Sequence, residues 1–365
     1  MRALVLGLLL VPAGAGADPS PAPSAVSFAG FLQPQLRLRQ DAPTVPFDED
    51  GFRLRHARLA VAAQRSVDRL DAGVTIEVGL APEVELLDAY ASAGSCLVGG
   101  GRWQIDAGQL KAPVSRQALL SDADLSFVDK AALAELAPGW QLGALGRLTV
   151  PHLPMVALAA GVFDGEGRNR FQNLDQRYLY AGRVEVRPLG RDVAVAESAH
   201  GGDFVVVGVS VARNRTAGAA GVETAVTMGA DLGFAMRGVS GAIEYLQVDH
   251  DFSMAGARAF RANGFAAQVA MLVPVTGAAR RLELGARFEE IDRNDTMPIL
   301  AAGDPDQSLR SYTAVATWYQ VAHELKLQLQ ASHVVEIEFL TAELGDARYA
   351  NDTVLVQAQY RSRLP

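Results

Sequence analysis

The amino-acid sequence predicts an all-β protein, a transmembrane antiparallel β-barrel of about 16 strands. Three observations predict it. Segments with period-2 alternation recur along the whole chain, putting successive side chains on opposite faces of a strand. No uninterrupted apolar run after the first residues is long enough for a membrane-spanning helix, the longest being strand-length pieces such as MVALAAGVF and VAMLVPV. The polar face of the alternating segments is built from long Arg, Lys, Glu and Gln side chains, which suits a wet lumen.

The elements follow in chain order. Residues 1–17 read as a secretory signal peptide: Arg2, the apolar run Ala3–Val11, then small residues ending Ala15-Gly16-Ala17. Residues 18–25, DPSPAPSA, read as a flexible leader, and 26–365 as the barrel. Alternation marks strands near 26–39, 51–64, 69–80, 84–94, 102–110, 140–150, 155–163, 177–187, 202–213, 222–234, 238–249, 261–274, 280–291, 309–321, 323–337 and 350–361. In the first, Phe28, Leu32, Leu36 and Leu38 oppose Gln33, Gln35, Arg37 and Arg39. In HELKLQLQASH, Leu325, Leu327 and Leu329 oppose Lys326, Gln328 and Gln330. In RYLYAGRVEVR, Tyr178, Tyr180, Val184 and Val186 oppose Arg177, Arg183, Glu185 and Arg187; in RRLELGARFEE, Leu282, Leu284 and Phe288 oppose Glu283, Arg287 and Glu289. GFRLRHARL breaks the rule, with Arg53 and Arg55 on one face and Arg58 on the other, which predicts a β-bulge or an exposed strand end. Between the segments lie turn-rich pieces such as DGEGRNRFQNLD, ESAHGGD and AAGDPDQS. A soluble β-sandwich also alternates, but its apolar face points into one finite core, and sixteen apolar stripes would need a very large one. Aromatic residues at segment ends (Trp140, Tyr178, Tyr180, Trp318, Tyr319, Tyr360) fit interfacial girdles.

Composition closes off other classes. The chain has 365 residues, 49% hydrophobic and 20% charged, and a formal net charge of −8. No sustained basic stripe appears, so nucleic acid is not an expected partner. The single Cys96 excludes a disulfide-stapled scaffold. The six histidines, at 56, 152, 200, 250, 323 and 333, have no metal-ligand spacing, and no cofactor is expected. Ser332 and His333 are adjacent on a strand and point to opposite faces, so they make no nucleophile–base pair, and an enzyme is not expected.

An ordered set of motifs then carries a resemblance. GFRLRHARL (51–59), LDAY (87–90), GQLKAPVSRQALLSDADLSFVDKA (108–131), PGWQLGALG (138–146), GVFDGEGRNRFQN (161–173) and AGRVEVRPLG (181–190) follow one another. Together they resemble the phosphate-selective porin O and P family, with Gly108, Lys111, Pro113, Ser121, Phe127 and Lys130 at the places of its motif after strand five. The resemblance implies a homotrimeric outer-membrane porin whose third loop folds inward and whose basic lumen residues guide small anions such as phosphate. It implies an anion-pathway loop bearing Lys111, Arg116 and Lys130, and lumen-wall arginines Arg37, Arg39, Arg55, Arg183, Arg187 and Arg287. Rings of such cations concentrate anions in a narrow low-dielectric passage.

The region 111–135 also carries Asp122, Asp124, Asp129 and Glu135, so it is not net basic. Bracing of the loop by Lys111 and Arg116 against carboxylates such as Asp106 is the competing role for those cations. Five residues follow Tyr360, where a closing strand with a terminal aromatic would stop. A weakly selective general porin and a non-conducting structural or binding barrel are the alternative functions.

Overall fold

The computed structural model describes residues 25–39, 50–191, 196–218, 221–254, 256–274, 281–295, 308–336 and 352–364. The expected signal peptide and all but the last leader residue lie outside them. The first eight strands are β1 (Ala25–Arg39), β2 (Gly51–Val67), β3 (Leu70–Ala81), β4 (Glu85–Cys96), β5 (Arg102–Lys111), β6 (Trp140–Thr149), β7 (Val156–Phe163) and β8 (Leu179–Leu189). The second eight are β9 (Phe204–Gly218), β10 (Gly221–Met236), β11 (Val239–Phe252), β12 (Phe260–Pro274), β13 (Arg281–Asp292), β14 (Ser308–Val321), β15 (Leu325–Glu336) and β16 (Thr353–Leu364). Each pairs antiparallel with its sequence neighbours, and β1 pairs with β16, closing the barrel. Closure leaves no unpaired edge, which is the condition for a sheet to stand in hydrocarbon.

The alternation is inside out relative to a soluble protein. On β15, Leu325, Leu327 and Leu329 are exposed, whereas Lys326, Gln328 and Gln330 are at most 3% exposed. On β1, Phe28, Leu32 and Leu38 face outward and Gln33 and Gln35 are buried. A closed antiparallel barrel with an apolar outer face is an outer-membrane architecture. The bulge expected in β2 is present, as register shifts opposite Gln33/Pro34 and between Ala57 and Arg58. It turns both Arg55 and Arg58 toward the lumen, where they reach Asp129 and Asp122. Tyr178, Tyr180, Trp318 and Tyr360 are exposed, as a girdle requires. Trp140 and Tyr319 are corrections: Trp140 Nε1 donates to Asp88 at 2.9 Å, and Tyr319 is buried with its hydroxyl on Glu283 at 2.9 Å. Tyr319 follows outward-facing Trp318, so alternation sends it inside.

The seam is sealed by amides. Gln33 donates to Gln359 at 2.9 Å, Gln35 to Gln357 at 3.0 Å, and Gln357 to Gln328 at 3.2 Å. These five glutamines of β1, β15 and β16 form a belt in which each buried amide makes at least one bond to another, which offsets the cost of burying them. Past Tyr360 the strand continues, and Arg361 turns inward to Asp124 at 2.8 Å. Arg361, just past the expected terminus, thus takes part in the lumen.

Candidate functional site: a lumen narrowed from both ends

The 28 residues between β5 and β6 fold back into the barrel. Near the end of β5, Gly108 allows a close approach to β4: its φ is +138°, and a Cβ there would lie 2.2 Å from Ala89 O. A one-turn helix α1 (Arg116–Leu119) follows, capped by Ser115 Oγ accepting from Ala118 N at 3.1 Å. Two 3₁₀ turns, Asp122–Asp124 and Ala132–Leu136, carry the loop across. Val114, Leu125 and Phe127 are fully buried, and Val114 and Leu133 pack with Leu145, Phe163, Leu179 and Leu246 of the wall.

An irregular backbone inside a barrel needs partners for its amides and carbonyls. The inner wall supplies them. Lys326 Nζ donates to Leu125 O at 2.5 Å, Gln328 to Ser126 O at 2.9 Å and Gln359 to Ala123 O at 3.0 Å. Gln330 accepts from Val128 N at 2.9 Å, Glu244 from Gln117 N at 2.9 Å and Glu289 from Ala132 N at 3.1 Å. Most of the long polar side chains on this wall are therefore engaged with the loop.

The three loop cations fall in two places. Lys111 donates to Ala118 O at 2.6 Å and Leu120 O at 3.3 Å; Lys130 donates to the same carbonyls at 3.0 and 2.6 Å. Lys111 also lies 4.5 Å from the centre of the Trp140 ring. Arg116 is far from both, 4% exposed against β10, where Gly233 makes room for its guanidinium. Its Nη2 donates to Ala196 O at 3.3 Å. Asp106, the expected brace, instead pairs with Arg147. Asp122 is the acid of the cluster, held by Arg58 and with Lys130 3.9 Å away. Burial alone would raise its pKa, but Lys130, Arg58 and their neighbours outweigh it and hold the carboxyl well below the usual carboxylate range.

The wall arginines are paired. Arg183 grips Asp231 with two bonds, 2.6 and 2.8 Å, and Arg187 bonds Glu185 at 2.6 Å. Arg287 lies over the Phe127 ring at 4.6 Å, donates to Asp129 O at 2.9 Å and faces Glu289 at 3.3 Å. Arg55 pairs with Asp129 at 3.0 Å. Arg37 and Arg39 stand half-buried at the end of β1, and the Arg39 amide bonds Asp50 at 2.5 Å.

One element was not legible as functional. The segment between β8 and β9, at the end where most connections are tight turns, turns up into the lumen at residues 196–201 and meets the loop. Glu197 accepts from Gln117 Nε2 at 2.5 Å and from Ser126 N at 2.9 Å, and its own amide donates to Asp124 O at 3.1 Å. Ser198 donates to Glu283 at 2.7 Å, and His200 packs on Tyr319 with ring centres 4.2 Å apart. Its sequence signal is length: fourteen residues, 190–203, at an end where Asp68-Arg69 or Arg237-Gly238 suffice elsewhere.

Against β9–β16 the lumen is filled, and Asp231, Glu244, Glu283, Lys326 and the glutamines are all nearly inaccessible. Along β2–β7 the inward cations are more open, although Arg58 with Asp122 and Glu77 is largely closed and Asp106 is buried. Side-chain exposures are 37% and 23% for Arg168–Glu85, 38% and 32% for Arg55–Asp129, 35% for Arg147 on Asp106, and 21% and 39% for Arg102–Asp71. In the order given they run from the end of the long loops to the end of the short turns.

Comparison with solved structures agrees on the architecture. An anion-selective porin from Comamonas acidovorans superposes with a TM-score of 0.60 at 12% identity, covering 94% of this chain and 100% of the other. The outer-membrane channel DcaP of Acinetobacter baumannii gives 0.57 at 14% identity, with coverages of 95% and 100%. OmpT of Vibrio cholerae, in a trimer form, gives 0.59 at 10% identity, with coverages of 93% and 100%. The fold is that of the outer-membrane porins. No protein-family profile matches the chain. No curated protein matches it either. At these identities the shared property is the porin fold.

Proposed function

We propose that the chain is a passive outer-membrane porin that passes small hydrophilic solutes through a slot between the inward loop and the β2–β7 wall. The observation that carries this reading is the asymmetry of exposure: Arg168, Arg55, Arg147 and Arg102 stay partly open at successive levels of one wall, while the opposite wall is buried under the loop. Anion preference in this reading is weak. Arg55, Arg58, Lys111, Lys130 and Arg147 stand among Glu77, Asp88, Asp106, Asp122 and Asp129, and Arg53, bonded to Gln35 on the same wall, adds one cation to that balance. Paired arginines present a small residual field, and a field of that size biases small anions such as phosphate without binding them tightly. Lys111, Lys130 and Arg116 act chiefly as braces, their charges turned to carbonyls. Assembly as a homotrimer belongs to the same proposal and rests on likeness of fold to barrels such as OmpT in its trimer form.

Phosphate tests the selectivity directly. Added phosphate is expected to leave the chloride current through single channels in a planar bilayer unblocked at millimolar concentration. A saturable block, relieved by Lys111→Glu or Arg116→Glu, would establish a phosphate filter instead.

A further inference from the structure

The barrel exterior carries a feature that solute passage does not use. Register places Ile105, Gly146, Ala160, Gly182 and Val211 in one row across β5 to β9. The three central residues are the smallest available, so the wall is dented there, between exposed Ile105 and Val211. The row nearer the short turns (Trp103, Leu148, Leu158, Val184, Val209) and the row nearer the long loops (Ala107, Ala144, Val162, Tyr180, Arg213) bound it. The resulting groove measures about 620 Å³ and is overwhelmingly apolar, with Arg213 on its rim.

Arg213 and Arg215 both point outward and are exposed. Neither has an ion-pair or hydrogen-bond partner among the described residues. Two other outward strand arginines at this end are paired: Arg261 holds Asp249 at 2.6 Å and Arg310 holds Glu290 at 2.8 Å. The acids around them are committed elsewhere or lie across the sheet: Asp175, near Arg215, accepts from the Ala217 and Arg177 amides, Asp249, two strands from Arg213, is held by Arg261, and Asp251, opposite Thr224, is two strands and about 9.5 Å from the Arg215 position. Arg213 lies eight residues along β9 from Val205 at the short-turn end, about 27 Å of strand. At the tilt of such barrels this is about 20 Å of height, near the upper limit of an apolar belt about 25 Å tall. Two uncompensated guanidinium groups thus stand at the level of outer-leaflet headgroups, directly above a groove wide enough for hydrocarbon.

The geometry points to a binding site for one phosphorylated lipid of the outer leaflet, an acyl chain lying in the Gly146–Ala160–Gly182 groove and its headgroup phosphate held by Arg213 and Arg215. Charge complementarity selects this occupant. A neutral lipid would leave both guanidinium groups without an acceptor, and a second protein copy would have to cover them with carboxylates. Arginine's planar fork matches phosphate oxygens two at a time.

The full-length barrel in detergent, offered diphosphorylated lipid A and weighed by native mass spectrometry, tests this. One lipid is expected to remain bound per barrel. Arg213→Glu with Arg215→Glu is expected to weaken retention at least about tenfold, the consequence of losing charge-assisted bonds of about 1.5–3 kcal/mol each. Gly182→Leu, which fills the groove, is expected to weaken it comparably, and the paired rim variant Arg261→Glu to leave it unchanged. Heat-modifiable mobility verifies that each variant is folded, and the milder Arg213→Gln replaces any that is not. Retention that survives charge reversal, equal retention of the dephosphorylated lipid, displacement by inorganic phosphate, or equal loss in Arg261→Glu overturns the proposal.

Discussion

At the scale of single residues, the lumen separates cations that hold structure from cations that face the slot. Lys111 and Lys130 share two carbonyls, and Arg116 is buried against Gly233. Removing Lys111 takes one of two donors from each of these carbonyls, and removing Arg116 takes the side-chain donor from Ala196 O, at a cost of about 1 kcal/mol for each bond lost. Lys111→Gln and Arg116→Gln are therefore expected to lower the temperature at which the heat-modifiable band unfolds while leaving the reversal potential in place. Arg55 and Arg147 behave oppositely, being half exposed in the slot. Arg147→Glu is expected to turn the channel toward cations. Asp106→Asn, which frees Arg147, is expected to strengthen anion preference, both read from reversal potentials in a salt gradient. Sequence spacing put Arg55, Arg183, Arg187 and Arg287 on the lumen face correctly. Neutralisation of Arg187 by Glu185 and of Arg287 by Glu289 was open to the sequence, since each pair lies two residues apart on one strand, whereas the Arg183–Asp231 pair joins β8 to β10 and depends on strand order and register.

At the scale of elements, the inward loop and the β8–β9 segment meet in the lumen through Glu197. Glu197→Gln replaces one acceptor oxygen and removes the charge; Glu197→Ala removes both acceptors and leaves Gln117 and the Ser126 amide unpaired. The alanine variant is expected to release the segment and raise single-channel conductance, whereas the glutamine variant keeps part of the contact and raises it less. Acid provides a second check on the loop. The Asp122 carboxyl has a folded pKa depressed below its unfolded value, so its contribution is complete above about pH 4. That contribution is lost only as the pH falls through the much lower folded value. Conductance is expected to stay level from pH 7 to about pH 4.5, and Asp122→Asn to make it noisy at every pH. The loop was visible in sequence as a loss of alternation with apolar residues retained. The β8–β9 segment was not: ESAHGGD has turn composition, and only its hydrogen bonds to a loop about 70 residues earlier show where it goes.

At the scale of the whole molecule, one design recurs: an outer face of apolar side chains for lipid and an inner face of amides and charges. Period-2 alternation fixes which residues occupy each face, and that is why strand positions and the sixteen-strand count could be read from the chain. What alternation cannot fix is the direction of use of the inner face. Gln328, Gln330, Gln359 and Lys326 read as lumen wall and prove to be the docking surface of a loop. Trp140 and Tyr319 read as girdle and prove to be lumen. Deleting residues 121–130 is expected to leave a folded barrel, since the sheet closes through β1–β16 without the loop, and to raise conductance several-fold.

The reversal potential of single channels under a potassium chloride gradient tests the central claim, a charge-paired slot, most directly. A conducting channel whose reversal potential is displaced toward that of chloride, but well short of it, is the predicted result. Absence of conductance, cation preference, or a reversal potential at the chloride limit would contradict it.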